Sequence, residues 1–294
     1  MGLSISLFKM ATSSIQAANL FNVNGLVAVI TGGGSGIGLM MARALALNGA
    51  HKIYIVGRRK EVLEDAAKSV STNNIIPLVG DVTSKESMAS IVNHIKSEIG
   101  YINLLIANSG VGGPQATKAV SESTSIEEFA EIYGSPSFEE MTRTFEVNTV
   151  AVMICVTTFL PLLDAGNKKG NVEQKSQIIA TSSIAGFHRK TSAGFLYGQS
   201  KAATTHLIKQ MATQLTQWDI RANALAPGLF PSELAAPIIG DGKFPNYQIP
   251  MQRAGTEEDM AGCILFLASR AGAYVTGNVM VIDGGRLSIL PSVY

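Results

Sequence analysis

The sequence predicts an α/β fold: one doubly wound sheet of seven parallel strands in a single domain. Three observations carry that prediction. Short β-branched apolar runs alternate with longer amphipathic segments along nearly the whole chain. The runs are apolar at consecutive rather than alternate positions, and a glycine-rich turn joins the first run to the first helix-like segment. Strands of that kind need helices on both faces, which is the arrangement of a parallel sheet with crossover helices.

The elements follow in order. LVAVIT (26–31) reads as the first strand, GLMMARALALNG (38–49) as its helix, KIYIV (52–56) as the second strand and the charged stretch from Lys60 as the next helix. IIPLVGD (75–81), a helix over 84–99, INLLIAN (102–108), a helix around 138–163, SQIIATSS (176–183) and a helix from about 195 continue the rhythm. IRANALAPG (220–228), a helix over 256–268 and NVMVIDGG (278–285) close it. Within the helix around 138–163, TVAVMICVTTFLPLL (149–163) is too short to span a bilayer and reads as a fully buried helix. Segments 111–137, 164–175 and 229–250 fall outside the pattern and read as loops or small helical insertions. Ligands of an open α/β sheet bind at the carboxyl ends of its strands, so the first and third of these are candidate substrate-covering elements. Residues 1–21 form an N-terminal extension to a domain of residues 22–294, which no internal repeat divides.

Composition narrows the partners. With 23 basic and 22 acidic residues spread along the chain and a net charge of +1, there is no electrostatic footprint for nucleic acid or an anionic membrane. Cys155 and Cys263 lie in apolar helical patterns and read as buried reduced thiols, so a reducing, cytoplasmic setting is expected. His51, His94, His188 and His206 show no metal-ligand spacing, and no metal is expected.

The turn TGGGSGIG (31–38) lies between a strand and a helix. There Gly32, Gly34, Ser35, Gly36, Ile37 and Gly38 are candidates to cradle a dinucleotide pyrophosphate, with glycines giving close approach and the helix N-terminus offering NH groups. A site for NAD would place a carboxylate about twenty residues on, at the adenosine ribose. Residues 1–60 contain no Asp or Glu, and Arg58 and Arg59 stand where the acid would be. Arginine there pairs with a 2′-phosphate through charge-assisted bonds, so NADP(H) is the expected cofactor. Asp81 and Val82 follow the third strand and Asn108, Ser109 and Gly110 the fourth, all at the same edge and all candidate cofactor contacts.

With TGGGSGIG, ANSG (107–110), the pair Ser182-Ser183 and YGQSK (197–201) in that order, the sequence resembles the classical short-chain dehydrogenase/reductase family over roughly residues 22–286. APGLFPSELA (226–235) and AGAYVTGNVMVIDGG (271–285) look like NADPH-dependent β-ketoacyl and polyketide-type ketone reductases of that family, including fungal members. The resemblance implies a Rossmann fold and a catalytic tetrad of Asn148, Ser183, Tyr197 and Lys201. It also implies that Pro227 and Gly228 lie beside the nicotinamide, that Ser232 replaces the usual threonine on its carboxamide, and that Tyr197 and Lys201 meet its ribose. Family tetramers imply a homotetramer, or failing that a dimer. The sequence departs from the pattern in three places: ANSG for the family's Asn-Asn-Ala-Gly, a longer stretch between Asn108 and Asn148, and a Ser-to-Tyr interval one residue longer. The last leaves Ser182 as the alternative to Ser183.

The chemistry is consistent with ketone reduction. A tyrosine's pKa near 10 is high for an acid/base group at neutral pH, and Lys201, four residues along the same helix, is expected to lower it. Ser183 would hold the substrate oxygen, and Asn148 a water. The expected activity is NADPH-dependent reduction of a ketone or β-keto group of a fairly apolar small molecule to a secondary alcohol. The alternatives are a non-redox protein on the same scaffold, acting as a cyclase, isomerase or cofactor sensor, and an NAD-linked alcohol dehydrogenase, which the missing carboxylate disfavours. Phe187, Phe195, Phe230 and Tyr247 are candidate pocket-lining residues, His188 and Arg189 read as a solvated loop, and Trp218 reads as packed against the fold.

Overall fold

All seven expected strands form, each end within three residues of its expected limit. The computed structural model describes residues 15–116, 118, 120–190 and 193–294, so most of the N-terminal extension lies outside it; its described part holds one exposed helical turn, Ala17–Leu20. The strands are β1 Val27–Thr31, β2 Lys52–Gly57, β3 Ile75–Val79, β4 Leu104–Ala107, β5 Gln177–Thr181, β6 Arg221–Pro227 and β7 Val279–Ile282. They make one parallel sheet in the order β3-β2-β1-β4-β5-β6-β7. The order reverses between β1 and β4, so the crevice of a doubly wound sheet opens at the carboxyl ends of these two strands.

The helices divide between the two faces. Helices α1 Gly36–Leu47 and α2 Lys60–Lys68 bury Met41, Leu45, Leu63 and Ala66 on one face. Helix α3 Lys85–Glu98, N-capped by Ser84, buries Met88, Ile91 and Ile95 on the other. Next come α4 Ile126–Gly134, α5 Phe138–Phe145, α6 Ala151–Lys169, α7 Phe195–Gln214 and α8 Glu257–Ala268. Helices α6 and α7 cover the α3 face through Val152, Val156, Phe159 and Ile208, while α8 covers the α1 face through Met260 and Ile264. Strand β1 is buried at all five positions, and each such Val or Ile contributes roughly 1.5–3 kcal/mol by leaving water.

Several expectations change. The helix around 138–163 is a continuous helical run of 32 residues, Phe138–Lys169, in which a π turn, Glu146–Val150, joins α5 to α6. Pro161 lies inside α6, and residues 164–169, expected as loop, extend it. Lys168 and Lys169 in the last turn complement the helix dipole, and Gly170 at φ 62° ends it. By length and apolarity the run is long enough to cross a membrane, but its inner face packs into the core of the sheet. It is not fully buried: Val150 and Met153 are 51% and 41% exposed, because its outer face is apolar as well. Cys155 is buried, and burial pushes its thiol up to about 12, whereas Cys263 is only partly buried. Trp218 is half exposed, and Phe230, expected in the pocket, is buried against Gly255.

Candidate active site

The site begins at the turn between β1 and α1. Gly32 has φ 64°, a left-handed conformation open to glycine at little cost, and a side chain at Gly38 would lie 2.2 Å from the Gly32 carbonyl oxygen. The turn is therefore packed tightly against the helix start, a cradle where the unpaired NH groups of a helix N-terminus favour an anion. These residues fit a dinucleotide pyrophosphate.

Threonine and asparagine side chains hold the cradle in place. Thr31 Oγ1 accepts from the backbone N–H of Asn108 at 3.0 Å and of Ser109 at 3.1 Å. Asn108 Nδ2 donates to the Thr31 and Gly32 carbonyls at 3.1 and 3.2 Å, and its Oδ1 accepts from Thr181 Oγ1 at 2.9 Å. Asn108, expected to meet the cofactor, thus spends its side chain joining the ends of β1, β4 and β5. The Asp81 carboxyl is held low, first by a hydrogen bond from the Thr83 backbone and in smaller part by the charges of Arg58 and Arg143. Arg59 pairs with Glu233, its Nη2 2.6 Å from Oε1. Pro227 ends β6, Gly228 N donates to Ile282 O at 2.8 Å, and Ser232 caps the following turn at Ala235 N.

All four residues of the expected tetrad lie at this edge. Ser183 follows β5 and accepts from Ala185 N at 3.1 Å, capping a short 3₁₀ turn, while also hydrogen-bonding Tyr197. Ser182 faces away, donating to the Lys201 backbone carbonyl at 2.9 Å and lying 2.6 Å from Thr205 Oγ1, so Ser183 is the serine beside the tyrosine. Tyr197 and Lys201 share α7, with the ammonium 5.9 Å from the ring centroid. Lys201 Nζ donates to Thr181 O at 2.8 Å. Asn148 sits in the π turn, a distortion often found at functional sites. Its Oδ1 accepts from Val111 N at 2.8 Å, and its Nδ2 donates to Val111 O and to Ser200 Oγ, both at 2.9 Å.

One electrostatic expectation is overturned. The pKa of Tyr197 is raised, not lowered: burial disfavours the phenolate, and the hydrogen bond from Ser183 only partly opposes it. Burial also brings Lys201 down to about 8. The sequence shows the i,i+4 spacing but not that both groups are desolvated, nor that the ammonium is bonded to a strand carbonyl. Thr31, Thr181 and Ser200 also hold the site, and none of them is a candidate on the sequence alone. Thr181 and Ser200 each adjoin a motif residue, which was the only signal available for them.

The mouth of the site is formed by the segments expected to cover it. A side chain at Gly112 would lie 2.7 Å from Leu234 Cδ1, so the 111–137 and 229–250 segments meet there. Helix α4 docks through a ring ladder, Phe129 to Tyr133 to Phe195, with each pair of centroids 4.8 Å apart.

Comparison with known proteins agrees with this geometry. Residues 26–241 match the short chain dehydrogenase family. The chain is 52% identical over 290 residues to the short-chain dehydrogenase/reductase PhomF of Diaporthe leptostromiformis, covering 96% of this chain and 98% of that one. It is 31% identical over 269 residues to the rhamnolipids biosynthesis 3-oxoacyl-[acyl-carrier-protein] reductase of Pseudomonas aeruginosa, covering 90% and 97% of the two chains. The Pseudomonas aeruginosa RhlG/NADP active-site complex superposes with a TM-score of 0.75 at 29% identity, covering 91% of this chain and 98% of that one. With its glycine cradle at the β1/β4 crevice and its serine, tyrosine and lysine converging from β5 and α7, the chain belongs to the short-chain dehydrogenase/reductase family of oxidoreductases.

Proposed function

We propose that this protein reduces a ketone or β-keto group of a fairly apolar small molecule to a secondary alcohol, using NADPH and Tyr197 as proton donor. The observation that carries this reading is the convergence of Ser183, Tyr197 and buried Lys201 beside the glycine cradle. A dinucleotide whose pyrophosphate that cradle would hold would supply a hydride from its nicotinamide. The side chains do the rest. Ser183 orients the carbonyl oxygen, and Tyr197, kept protonated by its raised pKa, gives its proton to that oxygen as negative charge develops. Lys201, fixed by Thr181, supplies positive charge that stabilises the tyrosinate left behind. Asn148 clamps the Val111 backbone and thereby fixes the wall of the site.

NADP(H) is favoured by Arg58 and Arg59 and by the absence of any acid in residues 1–60. The similarity to an NADP complex and to a 3-oxoacyl reductase supports the same cofactor and substrate class. The protein is expected to act as a homo-oligomer, a tetramer or failing that a dimer. Fluorescence titration of NADPH against NADH, with NADPH oxidation followed on β-keto substrates, tests the reading. Tyr197→Phe is expected to lower turnover by about 10²-fold or more while leaving the NADPH Kd within about twofold. Turnover that survives the substitution would remove Tyr197 as the acid, and equal binding of the two cofactors would remove NADPH.

A further inference from the structure

The two arginines that follow β2 have different neighbours. Arg58 acts on Asp81, the carboxylate after β3. Arg59 opens α2 as its N-cap residue and donates from Nη2 to Glu233 Oε1 at 2.6 Å, across 174 positions of sequence. Glu233 belongs to the segment that covers the site. Its neighbour Ser232 lies against the cradle, with Cβ 2.9 Å from where a Cβ on Gly36 would sit. The covering segment therefore runs from the pyrophosphate cradle to the guanidinium expected to read the 2′-phosphate.

We infer that Glu233 is a specificity-determining residue for the cofactor: its carboxylate and the 2′-phosphate of NADPH compete for Arg59, so the covering segment sets the margin of NADPH over NADH. The inference rests on the NADP(H) reading above. A guanidinium binds phosphate best through two parallel N–H bonds, and a carboxylate already on Nη2 occupies part of that fork. Glu233 also sets a negative charge beside a dianionic group. NADH carries only a neutral hydroxyl at that position and does not enter the charge competition. The side chains of Arg59 and Glu233 are 58% and 64% exposed, so the effect is modest and salt-sensitive. Because residues 1–60 hold no acid, Glu233 restores from a distant segment the negative charge that the end of β2 lacks.

The test is titration of NADPH and NADH into the full chain carrying Glu233→Gln, Arg59→Ala or both, with binding followed by nicotinamide fluorescence. Glu233→Gln is expected to tighten NADPH about three- to tenfold at low salt and to leave NADH within about twofold. The gain should vanish in the Arg59→Ala background and shrink at about 0.5 M salt. An NADPH preference that Arg59→Ala abolishes but Glu233→Gln leaves unchanged overturns the inference and keeps the cofactor reading. Equal tightening of both cofactors also overturns it, since the segment would then act on parts the two share. A wild-type protein with no NADPH preference overturns the cofactor reading and the inference together.

Discussion

Lys201 sets burial against charge. It is 3% exposed, its Nζ is bonded to the Thr181 carbonyl, and burial lowers its pKa from 10.5 to about 8. That difference corresponds to about 3 kcal/mol of destabilisation when the side chain is charged. The unfolded chain binds the proton more tightly, so the penalty is absent above about 10.5, grows as pH falls and is complete below about 8. Lys201→Met removes it and also leaves the Thr181 carbonyl without its donor. The variant is therefore expected to be more stable at pH 7 by about 1–2 kcal/mol, with the advantage lost as pH rises to 10.5. Calorimetry across that range checks it; a stability difference that does not change with pH would mean the lysine carries no buried charge. The same substitution should abolish turnover, as expected where a strained charge belongs to the mechanism.

At the scale of elements, Phe187–Arg189, between β5 and α7, are held by residues 291–294. Arg189 N donates to Pro291 O at 2.7 Å, Val293 N donates to Phe187 O at 2.9 Å, and His188 pairs with Ser292 in an antiparallel bridge. The rings of Phe187 and Tyr294 meet edge to face at 5.0 Å, and Tyr294 Oη reaches Val279 O at 3.4 Å. His188 and Arg189, expected as a solvated loop, and Phe187, expected to line the pocket, thus form a paired strip that starts four residues after Ser183. Tyr294→Ala frees that strip and is expected to raise the substrate KM about three- to tenfold with kcat within about threefold, because the segment after Ser183 is loosened and the proton donor is kept. Tyr294→Phe keeps the ring contact and gives up only the long bond to Val279, so it should restore the wild-type KM. Steady-state kinetics at saturating NADPH measure both, and an unchanged KM in Tyr294→Ala would show that the tail does not shape the site.

Over the whole molecule, what was legible in the sequence follows from the range of the forces involved. Strands buried on both faces leave continuous apolar runs, and the glycine turn leaves its own spacing, so the sheet and the residues at its carboxyl edge were readable. Asn148 on Val111, Thr181 on Asn108, Phe187 on Val293 and Arg59 on Glu233 join positions 37 to 174 residues apart and leave no local pattern. The raised pKa of Tyr197 escaped for a related reason, since burial is a property of the fold. The helix around 138–163 forms as expected, but residues 149–163 are not fully buried, because an apolar outer face reads in sequence like an apolar core. That outer face bears on assembly: Val150, Met153 and, at the start of α7, Phe195 are 51%, 41% and 41% exposed, although each is large and apolar. A stable subunit interface covers about 800 Å² per partner around an apolar centre, and this face supplies such a centre. Light scattering on the wild-type protein is expected to give a multiple of the monomer mass. Val150→Glu with Met153→Glu places two charges in the contact and should lower the mass toward the monomer, while NADPH binding stays within about twofold. A monomeric wild type would dispose of the homo-oligomer. An unchanged mass in the double variant would move the interface to another face.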